Sequence, residues 1–373
     1  MKRQSSILTV LCLVIGVMAG NDSFSIATLN VDGLPRRILF IPSNPDGPGE
    51  EGTRQASQYL ASKGYDLIGV QEDFNYDSEL RIALEDGYDY DEWQGGISMG
   101  GVNWLTIWRT KFKTDGLRMF WKKGHQLEHE ETASWTESYG KIDHCWDDMV
   151  TKGFRRSEIK LATGQQIVVY NMHMDASTES DEAAGRDTGD KEARWSQWRQ
   201  LRDSVINRLD HRPVILLGDM NSLYPRDSIE AIFINAINAT GHHQAYDAWV
   251  EACMQGHYPT FGNPDRNAAY ANGEVLDKIL YINPIHGQRL ELKAYRLEQD
   301  YTWDDGTPMG DHYPVSAIFE FVDEGSSGIS PKEALQPVAE AWFAPDGRRL
   351  TRPASGLNII RMSDGKTKKV IIP

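Results

Sequence analysis

Polar side chains that could bind a metal ion or move a proton stand at the ends of apolar runs in this sequence. The apolar run 214–217 leads to Asp219 and Asn221, and the run 167–170 leads to His173 and Asp175. Side chains two residues apart in a strand point to the same side. A buried strand can present such a pair only at its end, where a pocket opens. Asp and Asn are also common in turns, so one such pair does not identify a site.

Four further apolar runs begin or end in the same way. They carry Asn30 after "ATL", Gln71 and Glu72 after "IGV", Asp277 before "KIL", and Asp311 and His312 before "YPV". Six strand termini with an acid, an amide or an imidazole are more than independent turn caps would supply. If these termini meet at one edge, they form a cleft that is lined by carboxylates and contains two histidines.

The oxygen atoms of these side chains favour hard divalent ions such as Mg²⁺, Mn²⁺ or Ca²⁺. The chain has 3 cysteines, which are too few for a zinc site made of thiolates. A divalent ion beside two histidines suits the attack of water on a phosphoester, because the ion neutralises phosphate oxygens while one imidazole takes a proton from water. The pattern therefore indicates a metal-dependent phosphoester hydrolase that uses Mg²⁺ or Mn²⁺.

Short runs of strand length must position these termini. Most are rich in β-branched residues, and we predict strands over 24–30, 65–73, 104–109, 166–175, 214–221, 275–283 and 313–321. Apolar spacing or a closing glycine predicts helices over 52–64 and 192–209. Strands with near-continuous apolar character are buried on both faces or nearly so. The predicted fold class is therefore α/β, with packed sheets covered by helices.

Composition and charge restrict the class of protein. The chain has 373 residues, of which 40% are hydrophobic and 25% charged, and its formal net charge is −15; these values are typical of a globular protein. Residues 1–20 combine Lys2 and Arg3 with an apolar stretch and small residues, as a secretory signal peptide does. Its removal would move the charge from −15 to −17. Such a surface disfavours nucleic acid as a partner, and no later stretch is apolar enough for a membrane span.

A Gly- and Ser-rich stretch suggests the division of the chain. We predict a signal peptide at 1–20, a catalytic domain at 21–322, a linker at 323–335 and a small β module at 336–373, whose short strands are joined by Asp-Gly turns. Cys145 and Cys253 would remain after signal removal. In an exported protein they either form a disulfide or stay two separate buried thiols. The oligomeric state does not follow from the sequence.

Six motifs carry a resemblance to a known family. They are "TLNVDGLP", "GVQED", "NMHMDA", "LGDMNS", "LDKILYI" and "GDHYPV". Their order resembles that found in the endonuclease/exonuclease/phosphatase superfamily, and the resemblance covers most of residues 24–321. It implies a four-layer α/β sandwich, in which two mainly antiparallel sheets are flanked by helices and the active site lies at one edge.

The resemblance also implies which residues surround the metal ion. Glu72 resembles the main metal-binding glutamate, and Asn30 resembles the asparagine near that metal. Asp311 is expected close to the metal or to the water that attacks the substrate. His312, which follows it directly, resembles the general base.

Four more motif residues are expected to act on the substrate. His173 resembles the histidine that contacts the scissile phosphate, and Asp277 resembles the acid that pairs with and orients that histidine in some members. Asp219 and Asn221 resemble the pair that orients the leaving group, the phosphate or a second metal. Each of these roles rests on the resemblance.

Within the superfamily, the sequence resembles the secreted bacterial sphingomyelinases in "TLNVDGLP", "EGTRQASQYL", "KGFRRSEI" and "DHYP". The resemblance implies a phosphodiesterase that acts on a phospholipid head group and contacts a lipid surface peripherally. The sequence lacks an evident counterpart of the long aromatic hairpin that touches the membrane in some members. The polar segment 177–193 is interpreted as a surface loop rather than a cover for the cleft. Five tryptophans could form a rim around the substrate, but most are interpreted as core residues: Trp104, Trp108, Trp121, Trp135 and Trp146.

The tail from residue 341 resembles the C-terminal sorting domain used by type IX secretion. That resemblance implies a secreted or cell-surface protein, whereas an accessory β module without an export role is the alternative. Two other functions remain open. A secreted nuclease of the deoxyribonuclease type is disfavoured by the absence of a basic stripe. A non-catalytic surface binding protein is disfavoured by the intact set of motif residues.

Overall fold

The computed structural model describes most of the chain. The described residues are 22–38, 41–42, 44–45, 47–97, 105–106, 109–140, 145, 147–178, 181–182, 185–259, 273–323, 339–344, 349–350, 356–362 and 367–372. The predicted signal peptide and all but the first residue of the predicted linker lie outside them. Trp104, Trp108 and Trp146 also lie outside the described residues.

The chain divides into two compact units, Met1–Glu324 and Gly325–Pro373. The strands of the first unit are β1 (Ser23–Asn30), β2 (Arg37–Ile38), β3 (Ile41–Pro42), β4 (Leu67–Gln71), β5 (Tyr88–Tyr90), β6 (Arg118–Lys122), β7 (Gln126–Ser134), β8 (Gly153–Lys160), β9 (Gln166–His173), β10 (Val214–Asp219), β11 (His243–Asp247), β12 (Asp277–Pro284), β13 (Arg289–Leu297) and β14 (Val315–Val322). Its helical segments are Gly49–Lys63, Asp77–Arg81, Asp147–Met149, Thr188–Ile206, Tyr224–Asp227, Glu230–Ile234, Asn235–Asn238 and Ala248–Cys253.

The second unit contains one small antiparallel sheet. Its strands are β15 (Ala339–Phe343), β16 (Arg349–Leu350), β17 (Gly356–Met362) and β18 (Thr367–Ile372). They lie in the order β16-β15-β17-β18, and each strand pairs antiparallel with its neighbour. The short strands predicted after residue 336 therefore form a sheet of their own.

Two six-stranded sheets form the centre of the first unit. Sheet A has the order β13-β14-β1-β4-β6-β5, and sheet B has the order β11-β12-β10-β9-β8-β7. Among the described strands of these two sheets, the parallel neighbours are β1 with β4 and β9 with β10; the other neighbours are antiparallel. The prediction of two mainly antiparallel sheets is confirmed.

Three apolar clusters bind these sheets and the helices into four layers. The cluster between the sheets includes Ile26 of sheet A and Ile215 of sheet B, both fully buried. On the outer face of sheet B, Trp198 of helix Thr188–Ile206 packs in a second cluster. On the outer face of sheet A, Leu60 of helix Gly49–Lys63 packs in a third. Each buried side chain of this size contributes about 1.5–3 kcal/mol through burial. The α/β sandwich is thereby confirmed.

Both predicted helices form, with earlier starts than the sequence indicated. Helix Gly49–Lys63 ends where Gly64 adopts a left-handed conformation with φ 64°, and the Gly64 N–H donates to the Leu60 carbonyl. Glycine adopts this conformation without a Cβ penalty. Helix Thr188–Ile206 begins inside the segment 177–193 that was interpreted as a loop. Its first turn, "TGDK", is polar and so gives no apolar period to detect.

The strand prediction over 104–109 is wrong for the residues that are described. Leu105 and Thr106 form a turn, and the Arg109 N–H donates to the Thr106 carbonyl. In the first unit, the sequence also did not predict strands β2, β3, β5, β6, β7, β8, β11 and β13. The edge strand β7, "QLEHEETAS", is largely exposed and polar, so it lacks the continuous apolar run by which the buried strands were found.

Further expectations concern tryptophans, cysteines and membrane spans. Trp121 and Trp135 are buried, as favoured from the sequence. Cys145 and Cys253 are not joined by a disulfide; Cys145 is half-buried and Cys253 is exposed, so they are not two buried thiols either. Within the described part of the chain, no helix has the length and apolar character that crossing a membrane requires.

Candidate active site

Strand register in sheet B brings three of the expected side chains side by side. Asp219 of β10 pairs with His173 of β9 on one side and with Asp277 of β12 on the other. All three are buried. Gly218 precedes Asp219 with φ 138°, and a Cβ there would lie 2.0 Å from the Met172 carbonyl oxygen. Only glycine fits this approach of β10 to β9.

Alternation along the strands turns these residues toward sheet A. In β9, Ile167 and Val169 lie in the cluster between the sheets, so His173 shares their face. In β1, Ile26 lies in the same cluster, and Asn30 shares its face. The site therefore forms where the inner faces of both sheets end, as the sequence pattern predicted.

Sheet A contributes Asn30 and Glu72. The parallel pairing of β1 with β4 sets Asn30 beside Gln71, so that Glu72 follows at the strand end with φ 61°. Asn30 Nδ2 donates to Glu72 Oε1 and to Asp219 Oδ2, each at 3.0 Å. This amide thus joins the carboxylates of the two sheets. Burial raises the pKa of Glu72 to about 7, because the charged form is penalised away from water.

His173 is fully buried between these carboxylates. Its Nε2 lies 3.5 Å from Asp219 Oδ2 and 3.7 Å from Glu72 Oε1. Neither ring nitrogen has a hydrogen-bond partner among the described residues. Burial, together with the positive charge of Lys152, holds the pKa of His173 well below 6.5. The imidazole is therefore neutral and available to a phosphate oxygen.

His312 has a different environment. Its Nδ1–H donates to Asp277 Oδ2 at 2.6 Å, and its Nε2 lies 3.7 Å from Asp219 Oδ2. Burial opposes the charged imidazole, but Asp277 and Asp219 raise the pKa of His312 well above 6.5. The expected pairing of Asp277 with His173 is wrong, because the segment before β14 brings His312 onto Asp277. Asp277 orients His312.

Asp219 and Asn221 complete the site on the sheet B side. Asp219 Oδ1 accepts the Asn221 N–H at 2.9 Å, and Asn221 Nδ2 donates to the Met174 carbonyl at 3.1 Å. Burial opposes ionisation of Asp219, yet the charge of His312 and the hydrogen bonds from Asn30 and the Asn221 N–H lower its pKa below 3.8. Asp219 is therefore ionised and contacts both histidines.

Two charged residues near the site were not predicted. Lys152 is buried, pairs with Asp147 and donates to the Met174 carbonyl at 3.3 Å. It opens the motif "KGFRRSEI", but a lysine before an unpredicted strand gave no chemical signal. Asp32 lies in "TLNVDGLP", and its N–H donates to Asn30 Oδ1 at 2.9 Å. Burial, with Glu72 and Asp311 nearby, raises the pKa of Asp32 to about 8.

The donors of this site fit a hard divalent ion by their chemistry. Asp32, Glu72 and Asp311 are carboxylates: besides burial, the negative charges of Glu72 and Asp311 raise the pKa of Asp32. A bound cation would relieve that repulsion. Among the described residues, however, no group of three or more His, Cys, Asp or Glu side chains is gathered as a finished metal site. Asp311 is the outlier of the expected set: its side chain is 71% exposed, and its Oδ1 lies 4.0 Å from His312 Nε2.

Comparison with known proteins agrees with this architecture. The model of the Endonuclease/Exonuclease/phosphatase family matches residues 27–281, which is more than half of the chain. Sphingomyelinases of Mycobacterium bovis and Mycobacterium tuberculosis are 26% identical over 311 residues, which cover 81% of this chain and 54% of each relative. The chain thus spans about half the length of these curated relatives.

Solved structures share the fold at low identity. A TDP2 of D. rerio humanized by 14 mutations has a TM-score of 0.52 and 16% identity, and the match covers 80% of this chain and 99% of that one. An endonuclease/exonuclease/phosphatase from Bacteroides vulgatus also has a TM-score of 0.52, with 18% identity and coverage of 80% and 99%. At this identity the comparison concerns the fold.

Proposed function

Because the chain belongs to the Endonuclease/Exonuclease/phosphatase family, we propose that it is a divalent-metal-dependent phosphodiesterase. One observation carries the proposal. Asn30 donates to both Glu72 and Asp219 across the two sheets, and the Nε2 atoms of His173 and His312 lie 3.5 and 3.7 Å from the same Asp219 oxygen. A constellation of this kind suits attack of water on a phosphate ester.

The metal requirement rests on the donor set. Glu72 would hold Mg²⁺ or Mn²⁺, with Asn30 and Asp311 next to it. When bound, such an ion supplies neutralisation of the phosphate charge. A cation at Glu72 would also lower the pKa of nearby His312, since like charges disfavour each other. That shift would free Nε2 of His312 to accept a proton near neutral pH.

The remaining residues of the site would move the proton and orient the substrate. Nε2 of His312 takes a proton from the attacking water, while Asp277 holds the ring through Nδ1 and stabilises the imidazolium that forms. Neutral His173 contacts a phosphate oxygen. Asp219 and Asn221 orient the phosphate and the leaving group.

We further propose that the substrate is a phospholipid head group. The motifs shared with sphingomyelinases and the 26% identity to the mycobacterial sphingomyelinases support this substrate class. The net charge of −15 supports it as well, because an acidic surface binds a lipid with a zwitterionic head group more readily than a nucleic acid. Contact with the lipid surface would be peripheral.

Export is part of the same proposal. Residues 1–20 have the composition of a signal peptide, and the tail from residue 341 resembles a type IX sorting domain. Both features support a secreted or cell-surface enzyme that meets lipid outside the cell. Detection of the protein in the culture medium, with loss of residues 1–20 by mass spectrometry, would test this location; retention of an uncleaved chain in the cytoplasm would contradict it.

A substrate panel tests the proposed activity. Sphingomyelin vesicles, phosphatidylinositol vesicles and supercoiled plasmid are each incubated with the protein, with EDTA or with added Mg²⁺. We expect release of phosphocholine from sphingomyelin, dependent on Mg²⁺, and no release by a His173→Ala variant. Nicking of plasmid without phosphocholine release would identify a nuclease instead. Absence of turnover on all three substrates would favour a non-catalytic binding protein.

A further inference from the structure

A chain of buried side-chain hydrogen bonds crosses the apolar space between the two sheets directly behind the site. Thr28, Gln71 and Asn171 are each at most 1% exposed. Thr28 Oγ1 donates to Gln71 Oε1 at 3.1 Å, and Gln71 Nε2 donates to Asn171 Oδ1 at 2.6 Å. Thr28 and Gln71 belong to sheet A, whereas Asn171 belongs to sheet B. We call these three residues the amide clamp.

Asn171 makes three side-chain hydrogen bonds to sheet A. Besides accepting from Gln71, it donates through Nδ2 to the Val70 carbonyl at 3.1 Å and to the Arg118 carbonyl at 2.8 Å. Val70 and Arg118 form the last pair of the β4–β6 ladder. The asparagine amide therefore bonds to both strands of that ladder at its last pair.

The sheets approach each other closely at this point. Gly69 of β4 faces the clamp, and a Cβ there would lie 2.1 Å from Leu217 Cδ1 and 3.3 Å from Asn171 Cγ. A buried network with its donors and acceptors satisfied fixes the separation of the groups it joins. Here it fixes the separation of β4 from β9.

Two residues of the clamp are close in sequence to two proposed site residues on different sheets. Gln71 immediately precedes Glu72, and Asn171 lies two residues before His173 on the same face of β9. His173 Nε2 and Glu72 Oε1 are 3.7 Å apart with no bond joining them. Their separation is therefore set by the strands that carry them.

We propose that Asn171 and Gln71 are positioning residues, which set the distance of His173 from Glu72 by holding the two sheets at the active edge. Neither residue is proposed to contact the substrate. The inference deepens the proposed function and rests on it for its kinetic measurement. A change of about 1 Å in such a spacing can lower turnover by about 10²-fold.

Sheet B contains a matched control at the other end of β12. Asn283 is also a buried asparagine of sheet B that joins sheet A: its Nδ2 donates to the Leu290 carbonyl, and its Oδ1 accepts the Leu290 N–H, each at 2.8 Å. It is six residues from Asp277, which corresponds to roughly 20 Å along a strand. Asn171→Leu and Asn283→Leu therefore remove comparable bonds near to the site and far from it.

The test compares these two variants in the full chain with Mg²⁺ and bis(4-nitrophenyl) phosphate as substrate. We expect both variants to unfold at a lower urea concentration than wild type. Only Asn171→Leu should lower kcat, by about 10- to 100-fold, with KM changed much less. Equal kcat per folded molecule in both variants would overturn the proposal, since the clamp would then be structural alone.

Two further measurements keep the proposal testable. If Asn171→Leu does not fold, Thr28→Val removes only the outer bond of the clamp and should lower kcat in the same direction by a smaller factor; no change would overturn the proposal. If the wild type shows no turnover, the proposed function fails separately. Crystal structures of the variants then decide: the distance from His173 to Glu72 should increase in Asn171→Leu and not in Asn283→Leu, and an unchanged distance would count against the clamp.

Discussion

At the scale of single residues, the two histidines of the site carry different charges although both face Asp219. The pKa of His173 is lowered by burial and by Lys152, whereas the pKa of His312 is raised, against burial, by Asp277 and Asp219. A neutral ring can contact a phosphate oxygen, and a ring held by a carboxylate can exchange a proton. The difference in environment thus supports the two proposed roles.

The first prediction concerns the Asp277–His312 pair. Asp277→Asn keeps the size of the side chain but removes the charge that stabilises the imidazolium. We expect kcat to fall by about 10²–10⁴-fold with little change in KM, measured on a phosphodiester in the presence of Mg²⁺. Asp305→Asn is the control, because Asp305 is exposed and bonds to Thr307 in the segment before His312. Equal kcat in both variants would remove Asp277 from this role.

At the scale of elements, strand register decides which side chains meet. The sequence motifs were sufficient to predict β1, β4, β9, β10, β12 and β14, since each is an apolar run with a polar terminus. They could not predict that Asp277 pairs with His312, because the partner depends on the path of the chain between β13 and β14. Lys152 escaped prediction for a related reason: it precedes β8, whose sequence "GFRRSEIK" lacks a continuous apolar run.

Gly218 supports the second prediction, which concerns the approach of β10 to β9. Gly218→Ala places a Cβ 2.0 Å from the Met172 carbonyl oxygen at φ 138°. We expect the free energy of unfolding to fall by roughly 3 kcal/mol or more, measured by urea denaturation. Gly241→Ala is matched, because Gly241 also has a positive φ of 74° but no atom within 4 Å of the added Cβ. Gly241→Ala should lower the free energy of unfolding by only about 1–2 kcal/mol. Equal losses of unfolding free energy in the two variants would refute the steric argument.

An ion pair between β8 and the start of β10 gives the third prediction. Arg212 Nη1 donates to Glu158 Oε2 at 2.6 Å and lowers the pKa of Glu158 from 4.5 to about 2. A carboxyl with a depressed folded pKa stabilises the fold above its unfolded pKa, and this contribution is lost as the pH falls from 4.5 toward 2. Unfolding free energy should therefore decrease less steeply over this interval in Glu158→Gln than in wild type. If unfolding free energy changed with pH equally steeply in wild type and Glu158→Gln, the ion pair would not stabilise the fold as proposed.

At the scale of the whole molecule, the chain has two compact units. The first is the sandwich, which contains every proposed site residue, and the second contains a small sheet. The linker composition predicted a boundary at 323–335, close to the division after Glu324. The four-layer arrangement followed from the family resemblance, since apolar runs alone do not reveal which strands are neighbours. The role of the second unit in export remains a proposal that rests on its sequence.

Removal of the second unit is the fourth prediction. A chain that ends at Glu324 retains both six-stranded sheets and all three apolar clusters. We expect kcat/KM within about twofold of the full chain and a cooperative urea transition, because a compact unit of this size has its own core. A noncooperative transition, or a loss of activity beyond tenfold, would show that the sandwich depends on the tail.

The central claim is that Glu72 and its neighbours form a metal-assisted phosphodiesterase site. The most direct test is turnover of one phosphodiester substrate after treatment with EDTA, followed by titration with Mg²⁺ or Mn²⁺, for wild type and Glu72→Gln. We expect EDTA to abolish wild-type activity, either ion to restore it, and Glu72→Gln to require far more metal or stay inactive. Wild-type turnover that is unaffected by the chelator would contradict the claim.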